Sequence, residues 1–300
     1  FVQVEAEYST AAECRELTGP LKQVLLSCPN LRHLSLNISP PRAGCVVPNP
    51  PSEYCGFGFS GGERLPPLES LEIIAYPWGR EPNNSPINIH AIGYPEQGEE
   101  LDYWAETFDW SHLCRFSDHS SDLGIRIAPK LTALQEISLH HDHNKLSLRS
   151  FLLNVPSMLS SITIPYSRDV GIDAILRHKT NLRRLKIHNP DLLYKPQAQE
   201  LLQLRDSLLN LNELALDIDR ADDMWPYSSL DLLASFPHLH RLELWFDLGH
   251  GSDAPARPYL TVSSARHLCE YMHDRSVTLQ SLILHSGCRP QPTHGYPTDE

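Results

Sequence analysis

The sequence predicts an α/β solenoid of about nine strand-and-helix units, and three observations predict it. A short apolar phrase of the form L-x-x-L-x-L returns nine times along the 300 residues. Stripes with helical spacing lie between the copies, and turn-forming connectors stand just before several of them. Of 46 leucines, 28 follow residue 150, where the spacing is most regular.

The strands come first. The phrase reads Leu31-Leu34-Leu36, Leu68-Leu71-Ile73, a degenerate Leu113-Phe116, Leu134-Ile137-Leu139, Leu159-Ile162-Ile164, Leu182-Leu185-Ile187, Leu211-Leu214-Leu216, Leu239-Leu242-Leu244 and Leu279-Leu282-Leu284. Its last two apolar residues are two apart, so on an extended chain they share one face. The helices follow. Ala265-Leu268-Cys269-Met272 keeps the i, i+3, i+4, i+7 pattern, with Ser263 or Ser264 as its N-cap. Leu201, Leu204 and Leu208 form a stripe behind Pro196, and Ile172-Ile175-Leu176 and Leu230-Leu233-Phe236 are shorter versions. Cys28-Pro29-Asn30, Phe236-Pro237-His238 and Lys179-Thr180-Asn181 are the connectors. In two of them proline stops the helix, because it has no N–H to donate and clashes with the preceding turn.

The segments LLSCPNLRHLSLNI, TNLRRLKIHN and FPHLHRLELWF, with FDWSHLCRF at 108–116, resemble the leucine-rich repeat region of fungal F-box proteins. The resemblance covers roughly residues 20–286. It implies one leucine-rich repeat domain over 1–300, a horseshoe with a parallel sheet on its concave face and helices on its convex face. It also implies a protein-interaction module, the substrate-recognition region of a cullin-type ubiquitin ligase. The adaptor of that ligase would dock on an F-box segment that is expected upstream and is not present in this chain. A cytoplasmic or nuclear location, no enzymatic activity and no cofactor go with that expectation. The chain departs from the repeat pattern in its uneven spacing, and where Asn or Cys is usual after the last leucine it has Ser39, Asp142, Asp219 and Asp247.

Composition narrows the partners. With 25 Lys+Arg against 37 Asp+Glu the net charge is −12, and no Lys/Arg cluster is present, so a nucleic-acid partner is not expected. No apolar run approaches the roughly 18 residues of a membrane span, and no membrane partner is expected. The seven cysteines are scattered without a CxxC pair, and only Cys45 and Cys55 are placed to bridge within a loop. Prolines number 25, well above the usual share of about 5%. They collect partly in two insertions, 40–67 and 76–107, read as long loops that Leu101, Tyr103 and Trp104 could dock; the tail 287–300 is turn-rich.

Several constellations offer chemistry at first sight. Gly58-Phe59-Ser60-Gly61-Gly62 matches the nucleophile elbow, and Gly56, Gly58 and Gly61 match the dinucleotide fingerprint. Both need a helix immediately after the turn, and Pro66 and Pro67 forbid one there. His140, His141, Asp142 and His143 include metal-ligand types, but neighbours on an extended chain point to opposite faces, so a polar turn is expected. Asp217, Asp219, Asp222 and Asp223 lack the glycine and glutamate of a calcium loop and are read as a solvated acidic rim. No catalytic or metal-ligating residue is therefore assigned. Two alternatives stay open: a hydrolase or metal enzyme using Ser60 or His140 and His143, and a secreted recognition repeat glycosylated at Asn37 or at the Asn83-Asn84-Ser85 sequon.

The favoured site is a surface. Period two places Arg184, Lys186 and His188 on the exposed face of one strand, beside Glu213, Ala215 and Asp217 on the next. Arg241, Glu243 and Trp245 follow, then Ser281, Ile283 and His285. A basic strip beside an acidic one, with an exposed tryptophan, fits a protein partner held on the concave face or by the inserted loops. On this reading, replacing Arg184, Lys186 and Trp245 together abolishes capture and leaves stability nearly unchanged.

Overall fold

A computed structural model describes residues 1–39, 56–59, 61–78, 100–118, 122–139, 145–165, 170–188, 195–218, 224–246 and 258–286. The described residues form an α/β protein with ten strands, every described strand pair parallel and helices between strands. It divides into two compact units: residues 1–134 with 139–157, and residues 135–138 with 158–300.

The first unit carries β1 (Val2–Glu7), β2 (His33–Ser39), β3 (Ser70–Ala75) and β4 (Arg115–Asp118), paired in chain order. Its helices are α1 (Ala11–Ser27), α2 (Glu100–Thr107), α3 (Asp122–Ile127) and α4 (Lys145–Asn154). The second unit carries β5 (Glu136–Leu139, all but its last residue), β6 (Ser161–Ile164), β7 (Arg184–Ile187), β8 (Glu213–Ile218), β9 (Arg241–Phe246) and β10 (Ser281–Ser286). Its helices are α5 (Ile172–Leu176), α6 (Ala198–Ser207), α7 (Tyr227–Ala234) and α8 (Val262–Arg275).

All nine leucine phrases end on strands, β2 to β10, with the first leucine of each two residues ahead of its strand. The tenth, β1, was not foreseen: its alternation is V-x-V-x-A, without leucine, yet Val2 and Val4 align with Leu34 and Leu36 of β2. The phrase works through both halves. Its paired apolar residues, such as Leu71 and Ile73 or Leu242 and Leu244, are buried. At an average of roughly 25 cal/mol per Å² of apolar surface, each such side chain contributes about 1.5–3 kcal/mol.

A second regularity sits just ahead of the strands and is invisible in side-chain types. Two successive N–H groups at the start of one strand donate to a single carbonyl one repeat earlier. In the second unit Ser160 and Ser161 donate to the Gln135 carbonyl, Arg183 and Arg184 to Ser160, and Asn212 and Glu213 to Arg183. His240 and Arg241 then donate to Asn212, and Gln280 and Ser281 to His240, all at 2.8–3.1 Å. Arg32 and Glu69 accept in the same way in the first unit. Each carbonyl uses both lone pairs, which fixes the register and so lines up every strand's polar face.

Three local expectations are corrected. The segments read as loops carry core: α2 lies in the second, and Phe57, Phe59, Tyr76, Trp78, Leu101, Trp104 and Phe108 are buried in the first unit. Trp104 stacks on Phe57 at 5.8 Å and meets Trp78 and Phe108 edge-on at 5.2 Å. Aromatic area, not leucine period, holds this part of the chain. Lys22 of α1 fastens it further, donating to the Gly58 carbonyl at 2.8 Å and to Glu63 at 3.1 Å. The second correction concerns α8, whose N-cap is Thr261. The Thr261 hydroxyl accepts the Ser264 N–H at 3.1 Å, and Ser264 is the inner partner of the capping box, not the cap. The third is the count of strands, ten where nine were expected.

Candidate recognition face

In β6 to β9 the odd positions of the pattern face away from the leucines, and the ladder registers arrange them in rows. Arg184, Glu213, Arg241 and Ser281 form one row. Lys186, Ala215, Glu243 and Ile283 form the next, and Asp217, Trp245 and His285 form the third, with His188 leading it at the end of β7. The structure thus brings together all eight residues assigned to partner binding from the sequence.

Their chemistry differs from a basic strip beside an acidic one. Arg184 reaches across Ser161 to Glu136 at 2.5 Å. Glu243 accepts from His285 at 2.8 Å and lies 3.9 Å from Arg241. His188 donates through Nδ1 to Asp217 at 2.6 Å. The face is therefore a network of opposite charges crossing the strands, with modest net stabilisation from each exposed pair.

Two assigned residues are not exposed. Trp245 is 8% exposed and Asp217 is 2% exposed, so Asp217 is no part of a solvated rim. Their neighbours cover them: the His188 ring lies 3.9 Å from the Trp245 ring, the His285 ring 4.6 Å from it on near-parallel planes, and the Lys186 ammonium 4.7 Å from its centre. Ala215 is buried with Trp245. Period two places these side chains on the correct face, but a wide ring among three long neighbours makes a covered platform. Replacement of Trp245 is therefore expected to cost stability, where the sequence alone led to the expectation of little change.

Small side chains shape the rest of the face. Ser161, Thr163 and Ala215 floor a depression of about 270 Å³, bounded by Glu136, Arg184, Lys186, Glu213, Arg241 and Glu243. Among the described residues no group of three His, Cys, Asp or Glu is placed to hold a metal, and no helix is long and apolar enough to cross a membrane.

Sequence reasoning passed over two buried polar groups. Glu100 of α2 is 6% exposed and accepts through one oxygen from the Tyr76 hydroxyl at 2.8 Å, the Trp104 indole at 3.1 Å and the Phe57 N–H at 3.3 Å. Burial pushes its carboxyl up to about 8, and the hydrogen bonds from Trp104 and Phe57 offset only part of that rise. His178 is fully buried, and its Nδ1 accepts the Leu159 N–H at 3.3 Å.

Ser60, His140, His141, Asp142, His143, Asp219, Asp222, Asp223, Asp247, Cys45, Cys55, Asn83, Asn84 and the tail 287–300 lie outside the described residues. Gly61 and Gly62 take positive φ angles of 107° and 83°, and no helix follows within residues 61–69, so the elbow's required exit is missing. Asn37 sits within β2, its amide 3.4 Å from Glu5. Among the described residues, Cys28, Cys114 and Cys269 are free thiols.

The fold and this face define a class: an α/β protein of parallel strands and intervening helices that presents a polar sheet face in its second unit. The sequence matches no protein-family model and no curated protein.

Proposed function

We propose that this chain is a leucine-rich repeat protein-interaction module without catalytic activity, and that it is the substrate-recognition region of an F-box-type protein in a cullin-type ubiquitin ligase. One observation carries the recognition part: a charged, register-aligned sheet face whose depression is floored by Ser161, Thr163 and Ala215 and leaves room for a bound segment. Nine copies of the leucine phrase, each ending on a strand, support the repeat class. The ubiquitin part rests on the resemblance of the connector and strand segments to fungal F-box proteins. A cytoplasmic or nuclear location belongs to the same proposal, as does a partner that is a protein and neither nucleic acid nor membrane.

Affinity purification of the full-length protein that contains this chain, with quantitative mass spectrometry, tests both parts. The expected result is a co-purifying cullin-ligase adaptor together with at least one protein whose recovery falls when Arg184→Glu and Lys186→Glu are combined. Loss of the adaptor from the purified set overturns the ubiquitin part. Unchanged recovery of every co-purifying protein moves recognition away from this face.

A further inference from the structure

Five basic side chains stand on the described face of the second unit, and four reach a carboxylate: Arg184 to Glu136, His188 to Asp217, and Arg241 and His285 to Glu243. Lys186 is different. Among the described residues no carboxylate lies within ion-pair distance of it, and its cross-strand neighbours are the uncharged Thr163 and Ala215. Its ammonium rests over the Trp245 ring at 4.7 Å, which fixes its position without neutralising it. The same small neighbours open the depression of about 270 Å³ beside it.

We propose that Lys186 is the docking point for a single Asp or Glu side chain of a partner protein, carried on an extended segment laid over Ser161, Thr163 and Ala215. The inference rests on the recognition reading above and names the chemistry recognised. The charge of the depression selects one carboxylate over a phosphate. Glu136, Glu213 and Glu243 all border it, while Arg184 and Arg241 are already engaged by carboxylates. Three bases and three acids line the depression, so it is formally neutral, and a monoanion paired with Lys186 adds the least charge to it. A phosphoryl group of about −1.5 to −2 brings excess charge against three carboxylates. Thr163 adds a hydroxyl donor beside Lys186, and small side chains on both flanks let a peptide backbone approach the sheet closely.

The test is a random linear peptide library on phage, selected in parallel on the 300-residue chain and on its Lys186→Glu variant. Peptides recovered on the unaltered chain are expected to share an Asp or Glu at one aligned position. Synthetic copies lose at least about tenfold in affinity for Lys186→Gln, keep most of it for Lys186→Arg, and weaken as salt is raised. Lys186→Glu is expected to select Lys or Arg at that position instead. Thermal melting of each variant within about 2–4 °C of the parent shows that the fold is intact. Peptides without an acidic preference, or with equal affinity for Lys186→Gln, overturn the docking proposal and leave the recognition reading standing. Tighter binding when the acid is replaced by phosphoserine overturns the choice of a carboxylate. Failure of the unaltered chain to enrich any peptide overturns both.

Discussion

The imidazole of His188 lies nearly flat against the indole of Trp245, 3.9 Å between ring centres and 16° between planes. The two residues sit on β9 and just past β7, with Asp217 of β8 between them in the row and bonded to His188. Three strands are thereby tied on the polar face as well as through the leucines on the other. Removal of the indole takes away a buried ring and uncovers the Asp217 carboxylate. Trp245→Ala is expected to lower unfolding stability by about 3–5 kcal/mol. Arg184→Ala, which breaks an exposed pair, is expected to lower it by less than about 1 kcal/mol. Urea unfolding of the two variants checks the contrast, and equal small losses remove the platform role of Trp245.

Glu100 gives the chain a pH dependence of unusual sign. Its carboxyl holds its proton to about pH 8 in the folded state, whereas an ordinary glutamate releases it near 4.5. Below pH 4.5 both states are protonated and the buried acid costs nothing extra. As pH rises from 4.5 to 8 the unfolded chain binds fewer protons than the folded one, so stability falls over that window and levels off above it. Glu100→Gln keeps the shape without the ionisation. Unfolding measured at pH 5 and pH 9 should show a gain of a few kcal/mol for the variant over the parent at pH 9, relative to pH 5. Parallel pH profiles for the two proteins remove this role from Glu100.

Gly124 of α3 faces the stacked pair Phe116 and Phe151, whose centres are 6.2 Å apart. A methyl group there would meet Phe116 at 3.0 Å and Phe151 at 3.3 Å, and both rings are buried. Gly124→Ala is therefore expected to destabilise by about 1–3 kcal/mol, although alanine is the better helix former by up to about 1 kcal/mol. A rise in the melting temperature of this variant shows that the rings yield.

The strands were legible because their signal is local and repeated: Leu185-Ile187 and Leu242-Leu244 bury the same face by the same period. Period two also placed Arg184, Lys186, Glu213 and Arg241 correctly, since register follows from the shared phrase. Cover was not legible. Trp245 and Asp217 are buried by Lys186, His188 and His285, long side chains on other rows or strands, and no alternation rule counts those contacts. The packing of Trp104 among Phe57, Tyr76 and Trp78 was hidden for a related reason, because the rings come from segments far apart in the chain and follow no period. β1 was missed because valine and alanine stand where the other strands carry leucine or isoleucine.

His178 shows how one buried polar ring joins two repeats. It closes the turn after α5: its N–H donates to the Ile175 carbonyl at 3.0 Å, and its own carbonyl accepts from Asn181 and Leu182 at 3.1 Å. Its ring reaches back to the preceding repeat, where Nδ1 accepts the Leu159 N–H just ahead of β6. That acceptor role requires Nδ1 to be unprotonated, so the proton of the neutral ring sits on Nε2. His178→Phe keeps the volume but orphans the Leu159 N–H in a fully buried place, a loss of about 1–3 kcal/mol. His178→Asn puts an amide oxygen near Nδ1 and is expected to recover part of that loss, apart from the cavity left by the smaller side chain. Hydrogen exchange separates the two effects: the Leu159 amide is expected to exchange faster in the Phe variant than in the Asn variant, with the amides of β9 unchanged. Unaltered protection of Leu159 in His178→Phe means that another group satisfies this amide.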